Sequence, residues 1–257
     1  MFTQMFTQLI VESRSLLDVE QVEVDGVPLW VRATPNGRRC DLAITSAVLE
    51  GDEYELRPLR DGGHPLRWVM DIGGHVGAFT RAVKRWWPDA RVLAAEPDPD
   101  SAALFRRNTD GMDGVFLTEA ALLGRSDVRE VKFRQGGRAN RDGNAAASRV
   151  VDVVRPLGDE ACWGTALVPA MSVLDLLEQH GNPVIDLLKL DCEGAEGEIL
   201  QALHDAGYLE RVRWIRGEWH FPANAAKVAE TLRDTHEAHV DLSYPLQGFF
   251  IAHRRAG

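Results

Sequence analysis

A glycine-rich turn between an apolar strand and a helix constrains this chain more than any other feature. Val69-Met-Asp-Ile-Gly-Gly-His-Val-Gly-Ala-Phe-Thr80 reads as strand, turn and helix, and Leu93-Ala-Ala-Glu-Pro-Asp98 follows as a second strand with acid at its end. Gly73, Gly74 and Gly77 carry no Cβ, so the backbone there can turn sharply and come close to a ligand. Glu96 is placed to accept hydrogen bonds from the two hydroxyls of a ribose, as acidic residues do in nucleotide-binding βαβ units. The spacing is not the G-x-G-x-x-G of a dinucleotide fingerprint. Asp71, just ahead of the glycines, would gain nothing from a pyrophosphate and suits a ligand with a cationic end.

The same alternation continues down the chain. Helices are predicted to Trp87, over Pro99–Asn108, Ser172–His180, Ala195–Ala206 and Asn224–Glu237; strands over Arg91–Ala95, Val115–Ala120, Val184–Leu190, Arg213–Trp219 and Gly248–His253. Val184–Leu190 is almost continuously apolar, as a strand buried on both faces should be. The expected fold is therefore α/β, a doubly wound and mainly parallel sheet. Residues 1–66 are expected as an N-terminal addition: a β-hairpin around Asp25-Gly26, then a helix from Ala43 to Leu56. Residues 67–257 form the main domain. Within it, 124–170 breaks the rhythm with a Gly-, Arg- and Asn-rich stretch and reads as a substrate-side insertion, since long irregular segments in compact domains are often functional.

Composition excludes several classes. A formal charge of −10 on 257 residues offers no basic stripe to nucleic acid. No apolar run reaches the roughly 18 residues that a bilayer span requires, so no membrane partner is expected. Cys40, Cys162 and Cys192 are odd in number and lack C-x-x-C spacing, which argues against a cysteine zinc site and favours a reducing compartment. The repeated Met-Phe-Thr-Gln of residues 1–8 has no basic start or small-residue cleavage site of a secretory leader, so a cytoplasmic protein is expected.

The chemistry-bearing residues cluster at predicted strand ends, where open α/β sheets bind ligands. Asp191 and Glu193 in Asp186-Leu-Leu-Lys-Leu-Asp-Cys-Glu-Gly-Ala-Glu196 end one strand; Glu218 and His220 end the next and share one face. Carboxylates there can bind a ligand ammonium, orient a substrate hydroxyl or remove its proton. Helix N-capping is the plainer role for Glu193 and Glu196. His220, with an ordinary pKa near neutrality, suits a general base acting with Asp191. The four could also form an oxygen/nitrogen metal site, but their spacing does not demand one and none is expected. S-adenosylmethionine, with an ammonium, a sulfonium and a ribose, matches the glycine turn, Asp71 and Glu96 together.

These segments resemble the FkbM family of S-adenosylmethionine-dependent methyltransferases. The likeness rests on Asp71-Ile-Gly-Gly-His-Val-Gly77, on Glu96-Pro-Asp-Pro99 with Leu104 and Asn108, on Ala120-Ala-Leu122, and on Leu187-Leu-Lys-Leu-Asp-Cys-Glu-Gly-Ala-Glu196. Gly51-Asp-Glu-Tyr-Glu55 and Glu218-Trp-His220 also look familial. The resemblance implies a Rossmann-like class I methyltransferase, an enzyme working on oxygen of sugars, polyketides or related secondary metabolites. The expected cofactor contacts are then Asp71, Gly73, Gly74, His75, Gly77 and Asp191 for the methionine part, Glu96 and Pro97 for the ribose, and Glu119, Ala120 and Ala121 for the adenine. A carboxylate or nitrogen acceptor, and a binding module without catalysis, stay open beside a small-molecule hydroxyl. The N-terminal hairpin is a plausible homodimer contact.

Overall fold

The computed structural model describes residues 18–135, 149–150 and 164–256. Its centre is a seven-stranded sheet in the order β12-β13-β11-β10-β3-β4-β5. The strands are β3 (Trp68–Ile72), β4 (Arg91–Ala95), β5 (Val115–Thr118), β10 (Ile185–Leu190), β11 (Val212–His220), β12 (His236–Val240) and β13 (Gln247–Arg254). The five from β5 to β11 run parallel; β13 is antiparallel to both β11 and β12. The order reverses between β3 and β10, so the crevice beyond their carboxyl ends is the natural ligand position of such a sheet. This is a Rossmann-like, doubly wound fold.

Period-two alternation sends neighbouring side chains to opposite faces. Val69, Val92, Leu187 and Trp214 pack on one face with α1 (Pro35–Leu49), α2 (Leu56–Asp61) and α3 (Ala78–Trp86). Met70, Leu93, Leu188 and Ile215 pack on the other with α5 (Val173–Gln179), α6 (Glu196–Asp205) and α7 (Pro222–Leu232). The first face also takes in Val24, Val27 and Leu29 of the hairpin β1 (Val19–Val24) and β2 (Val27–Arg32). The N-terminal addition thus shares a core with the main sheet. α4 (Pro99–Asn108) is tied to the hairpin, because Asn108 both accepts from the Trp30 N–H (2.6 Å) and donates to the Trp30 carbonyl (2.9 Å).

Four expectations are corrected. The helix expected from Ala43 to Leu56 is two: α1 begins at Pro35, and α2 is opened by Asp52, whose carboxylate accepts from the N–H groups of Leu56 and Arg57. The strand expected over Val115–Ala120 stops at Thr118, and a further strand, β6 (Ala121–Leu123), follows outside the central sheet. Strand β6 joins β9 (Gly164–Ser172), β7 (Glu130–Gln135) and β8 (Arg149–Val150) in a second sheet, so the described parts of 124–170 include strands rather than one irregular loop. Much of Gln135–Asn144, and Cys162, lie outside the described residues. Finally, the helix predicted to Glu237 stops at Leu232 and β12 follows. That edge strand is largely exposed and gives no apolar alternation to read.

Among the described residues no helix is long and apolar enough to cross a membrane.

Candidate active site

A cavity of about 540 Å³ opens at the carboxyl ends of β3, β4, β10 and β11, within the usual range for small-molecule sites. One half of it starts with the glycine turn. Gly73 has φ +84°, and a Cβ there would lie 1.7 Å from the carbonyl oxygen of Asp191. Glycine is therefore required for the β3 turn to sit against the β10 end, not only for ligand access. Gly74 rests on the Phe105 ring, and Gly77 caps α3 without lining the cavity.

Glu96 lines the cavity and is only 6% exposed. Its two carboxylate oxygens accept from the N–H groups of His75 and Asp98, each at 2.8 Å. Burial, with the nearby Asp98 charge adding to it, pushes Glu96 up to about 7. A carboxylate has about four lone-pair positions, so two remain for hydroxyl donors from a ligand. Pro97, Ala120, Ala121, Leu122 and Phe133 supply an apolar wall beside it. Glu119 does not: its side chain pairs with Arg106 and is partly exposed, off the cavity.

Asp71 is also displaced from its expected role. It is wholly buried, accepts from the Thr80 hydroxyl at 2.7 Å, lies 3.3 Å from Lys189 Nζ, and does not line the cavity. Burial raises its pKa, against the opposing pull of Lys189. The reason is register: Lys189 on β10 sits directly opposite Asp71 on β3, on the same face. His75 lines the cavity with φ +46°, and its Nε2 lies 3.2 Å from Asp41. Asp41 in turn pairs with Arg32 at 2.5 Å, and Arg32 donates to Ser101 at 2.7 Å. That chain fastens α1 and the hairpin to the turn after β3 and to α4.

The far half of the cavity gathers Asp191, Glu193, Glu218 and His220, all of which line it, together with Glu53, Tyr54 and Lys189. Tyr54 donates to Asp191 Oδ2 at 2.8 Å, and Lys189 Nζ lies 3.8 Å from the same oxygen. Burial would raise Asp191, but Lys189, His220 and the Tyr54 hydroxyl outweigh it and hold the group low. Glu193 sits in left-handed backbone, φ +60°, and burial raises it to about 8. Burial and the Asp191 charge raise Glu218 to about 7; the same two causes raise Glu53 to about 6.

His220 is held by carboxylates on several sides. Its Nδ1 is 2.9 Å from Glu196 Oε1, and its Nε2 is 3.5 Å from Glu193 and 3.9 Å from Glu218. Burial alone would lower the imidazole. The hydrogen bond and charge of Glu196, then Glu193 and Asp191, overcome it and raise it to about 10. His220 was expected as a general base acting with Asp191; the surrounding carboxylates favour the protonated ring, which weighs against that role. Glu196, for which helix capping was the plainer reading, anchors that ring.

Lys189, Tyr54 and Glu53 belong to the site and were not singled out from the sequence. One signal was visible for Lys189, a charge inside an otherwise apolar strand. Tyr54 and Glu53 are brought in by the α1–α2 turn; they lie in the Gly51–Glu55 segment that looks familial, but the sequence assigned them no role.

Fold and site together define a Rossmann-like protein with a ligand cavity at the switch point of its sheet, glycine turn at one end and acidic cluster at the other. The sequence profile of the methyltransferase FkbM domain matches residues 71–242. The chain belongs to that family. It is 29% identical over 161 residues to Methyltransferase 1 of Beauveria bassiana, a match over 59% of this chain and 63% of that protein. It is 27% identical over 158 residues to 2-O-methyltransferase NoeI of Sinorhizobium fredii, over 59% of this chain and 62% of that protein. The chain thus matches somewhat under two thirds of the length of these two relatives. Among solved structures, a precorrin-6y C5,15-methyltransferase from Geobacter metallireducens aligns with a TM-score of 0.43 and 16% identity, covering 78% of this chain and 88% of that one.

Proposed function

We propose that this protein transfers the methyl group of S-adenosylmethionine to a hydroxyl of a small-molecule acceptor. The observation that carries the reading is the continuity of one cavity from Glu96 and the glycine turn to the Asp191, Glu193 and Glu218 cluster. An adenosine seated with its ribose on Glu96 and its base along Ala120–Leu122 would direct the sulfonium toward that cluster. Family membership and the likeness to methyltransferases support the reaction. The likeness to a 2-O-methyltransferase of Sinorhizobium supports an oxygen acceptor.

The chemistry is a direct displacement. An oxygen lone pair of the acceptor forms a bond to the methyl carbon while the carbon–sulfur bond breaks and its electron pair returns to sulfur. The hydroxyl proton leaves to a carboxylate of the cluster, since it becomes far more acidic as the new bond forms. The protein's tasks are alignment and exclusion of water, and the Ala47, Val48, Tyr54 and Phe249 side chains on the cavity wall serve the second.

Calorimetric titration with S-adenosylhomocysteine and with NADH tests the cofactor. Saturable binding of the first and none of the second is expected; the reverse would sink the proposal. Transfer of labelled methyl to a panel of alcohols, acids and amines then tests the acceptor, and labelling of only acids or amines would overturn the hydroxyl assignment.

A further inference from the structure

The geometry points to a divalent-cation site at the acceptor end of the cavity, formed by Asp191, Glu218 and His220. One ligand atom from each lies within 4.8 Å of the others. Metal–ligand bonds of about 2.1 Å put opposite ligands about 4.2 Å apart, so small side-chain movements close the set around an ion.

Convergence alone would not distinguish this group from an acidic patch; the outer anchors do. Each of the three has one polar atom held by a different protein group, leaving the other for the cluster. Asp191 Oδ2 takes the Tyr54 hydroxyl at 2.8 Å, leaving Oδ1. Glu218 Oε1 takes the Gln247 amide at 2.8 Å, leaving Oε2. His220 Nδ1 meets Glu196 Oε1 at 2.9 Å, leaving Nε2. Glu196 is itself fixed, wholly buried and accepting from the Cys192 and Gly194 N–H groups and the Asn224 amide. Metal-binding histidines are commonly oriented this way, with the second ring nitrogen on a carboxylate.

His220 is the independent witness. The residue is 7% exposed, yet its Nε2 points into the cluster with its nearest carboxylate oxygen at 3.5 Å, beyond a normal hydrogen bond. That nitrogen faces the Glu193 and Glu218 carboxylates at 3.5 and 3.9 Å, on the side of the ring away from its Glu196 anchor, and is placed to serve as a ligand. The donor set of one imidazole and two carboxylates suits Mn²⁺ or Mg²⁺ better than a thiophilic ion.

Three protein ligands leave about three positions of an octahedron open. Two adjacent positions fit two neighbouring oxygens, so the acceptor class is a vicinal diol or an α-hydroxy carbonyl compound. This part rests on the methyl-transfer reading above. The cation would lower the pKa of the bound hydroxyl.

The test uses the full chain, stripped with EDTA and desalted, then titrated with Mn²⁺ while the free-ion EPR signal is followed. One Mn²⁺ per chain, displaced by Mg²⁺, is expected. Glu218→Gln should abolish binding, and Tyr54→Phe should weaken it roughly tenfold, as loss of an outer anchor does. Both variants should bind S-adenosylhomocysteine and melt near the parent temperature. Parent protein that leaves the Mn²⁺ signal unchanged, or E218Q that binds as the parent does, overturns the site. Binding of S-adenosylhomocysteine without Mn²⁺ defeats this inference alone; Mn²⁺ binding without the nucleoside defeats the methyl-transfer reading and leaves the site standing. A diol methylated no faster than its singly deoxygenated analogue overturns the acceptor class.

Discussion

Replacing Glu96 with Gln separates ligand recognition from loop architecture at the cofactor end. In the parent, one oxygen holds the His75 N–H and the other the Asp98 N–H, both at 2.8 Å. Glutamine keeps one acceptor, so whichever way the amide lies, one backbone N–H faces an NH₂ group. An unsatisfied buried donor costs about 1–3 kcal/mol, and that loss of stability is expected with or without ligand. The ribose loses a charged acceptor but retains a neutral one, roughly 1–1.5 kcal/mol, or about a 5- to 15-fold weaker affinity for S-adenosylhomocysteine. The pH dependence adds a second signature. The Glu96 carboxyl sits at about 7 because burial disfavours its charge. If the ribose hydroxyls donate to the carboxylate, parent affinity rises as pH passes upward through that value, and the Gln variant loses this component. Urea denaturation and calorimetry at pH 6 and pH 8 supply both readouts. An affinity within twofold of the parent, with the same pH profile, would refute the ribose assignment.

Lys189→Met should cost about 3–5 kcal/mol in urea denaturation, because it strands Asp71 and Asp191 in the interior; a loss under about 1 kcal/mol would show the carboxylates are relieved some other way. Gly73→Ala should yield little folded protein, since its Cβ would overlap the Asp191 carbonyl at a φ of +84°; a soluble variant with parental circular dichroism and melting refutes that account of the turn. His236 is buried with Nε2 at 3.1 Å from the Val212 carbonyl, and desolvation lowers it to about 4. Its neutral ring favours the folded state above the unfolded pKa of about 6.5, and that contribution fades as pH falls toward 4. Discounted for solvent at the sheet edge, it is about 2 kcal/mol; NMR titration of the ring near 6.5 would disprove the shift.

The central sheet was legible because its determinants are local. Leu187 and Leu188 face opposite layers with equal burial, so an apolar run identified β10 before its neighbours were known. Strand ends followed from the turn residues, and placing Asp191, Glu193, Glu218 and His220 there brought them to one crevice. Glycine spacing likewise located the β3 turn. Edge strand β12 was not legible, since an exposed strand is selected by its pairing partner rather than by its own pattern; β7, by contrast, carries buried Val131 and Phe133 in a period-two alternation that reading 124–170 as an irregular segment passed over.

What sequence alone determined, then, is which residues reach the carboxyl edge. Which of them face the cavity is a tertiary result. Asp71 turns from the ligand because cross-strand register sets Lys189 beside it, and Glu119 leaves because Arg106 on α4 pairs with it. Tyr54 enters from 137 positions away to hold Asp191. The ionisation of His220 is decided the same way: a lone histidine titrates near neutrality, whereas one ringed by Glu196, Glu193 and Asp191 in a buried site holds its proton far above it. Local pattern determines where the chain travels; charge and hydrogen bonding between distant segments determine what each side chain does on arrival.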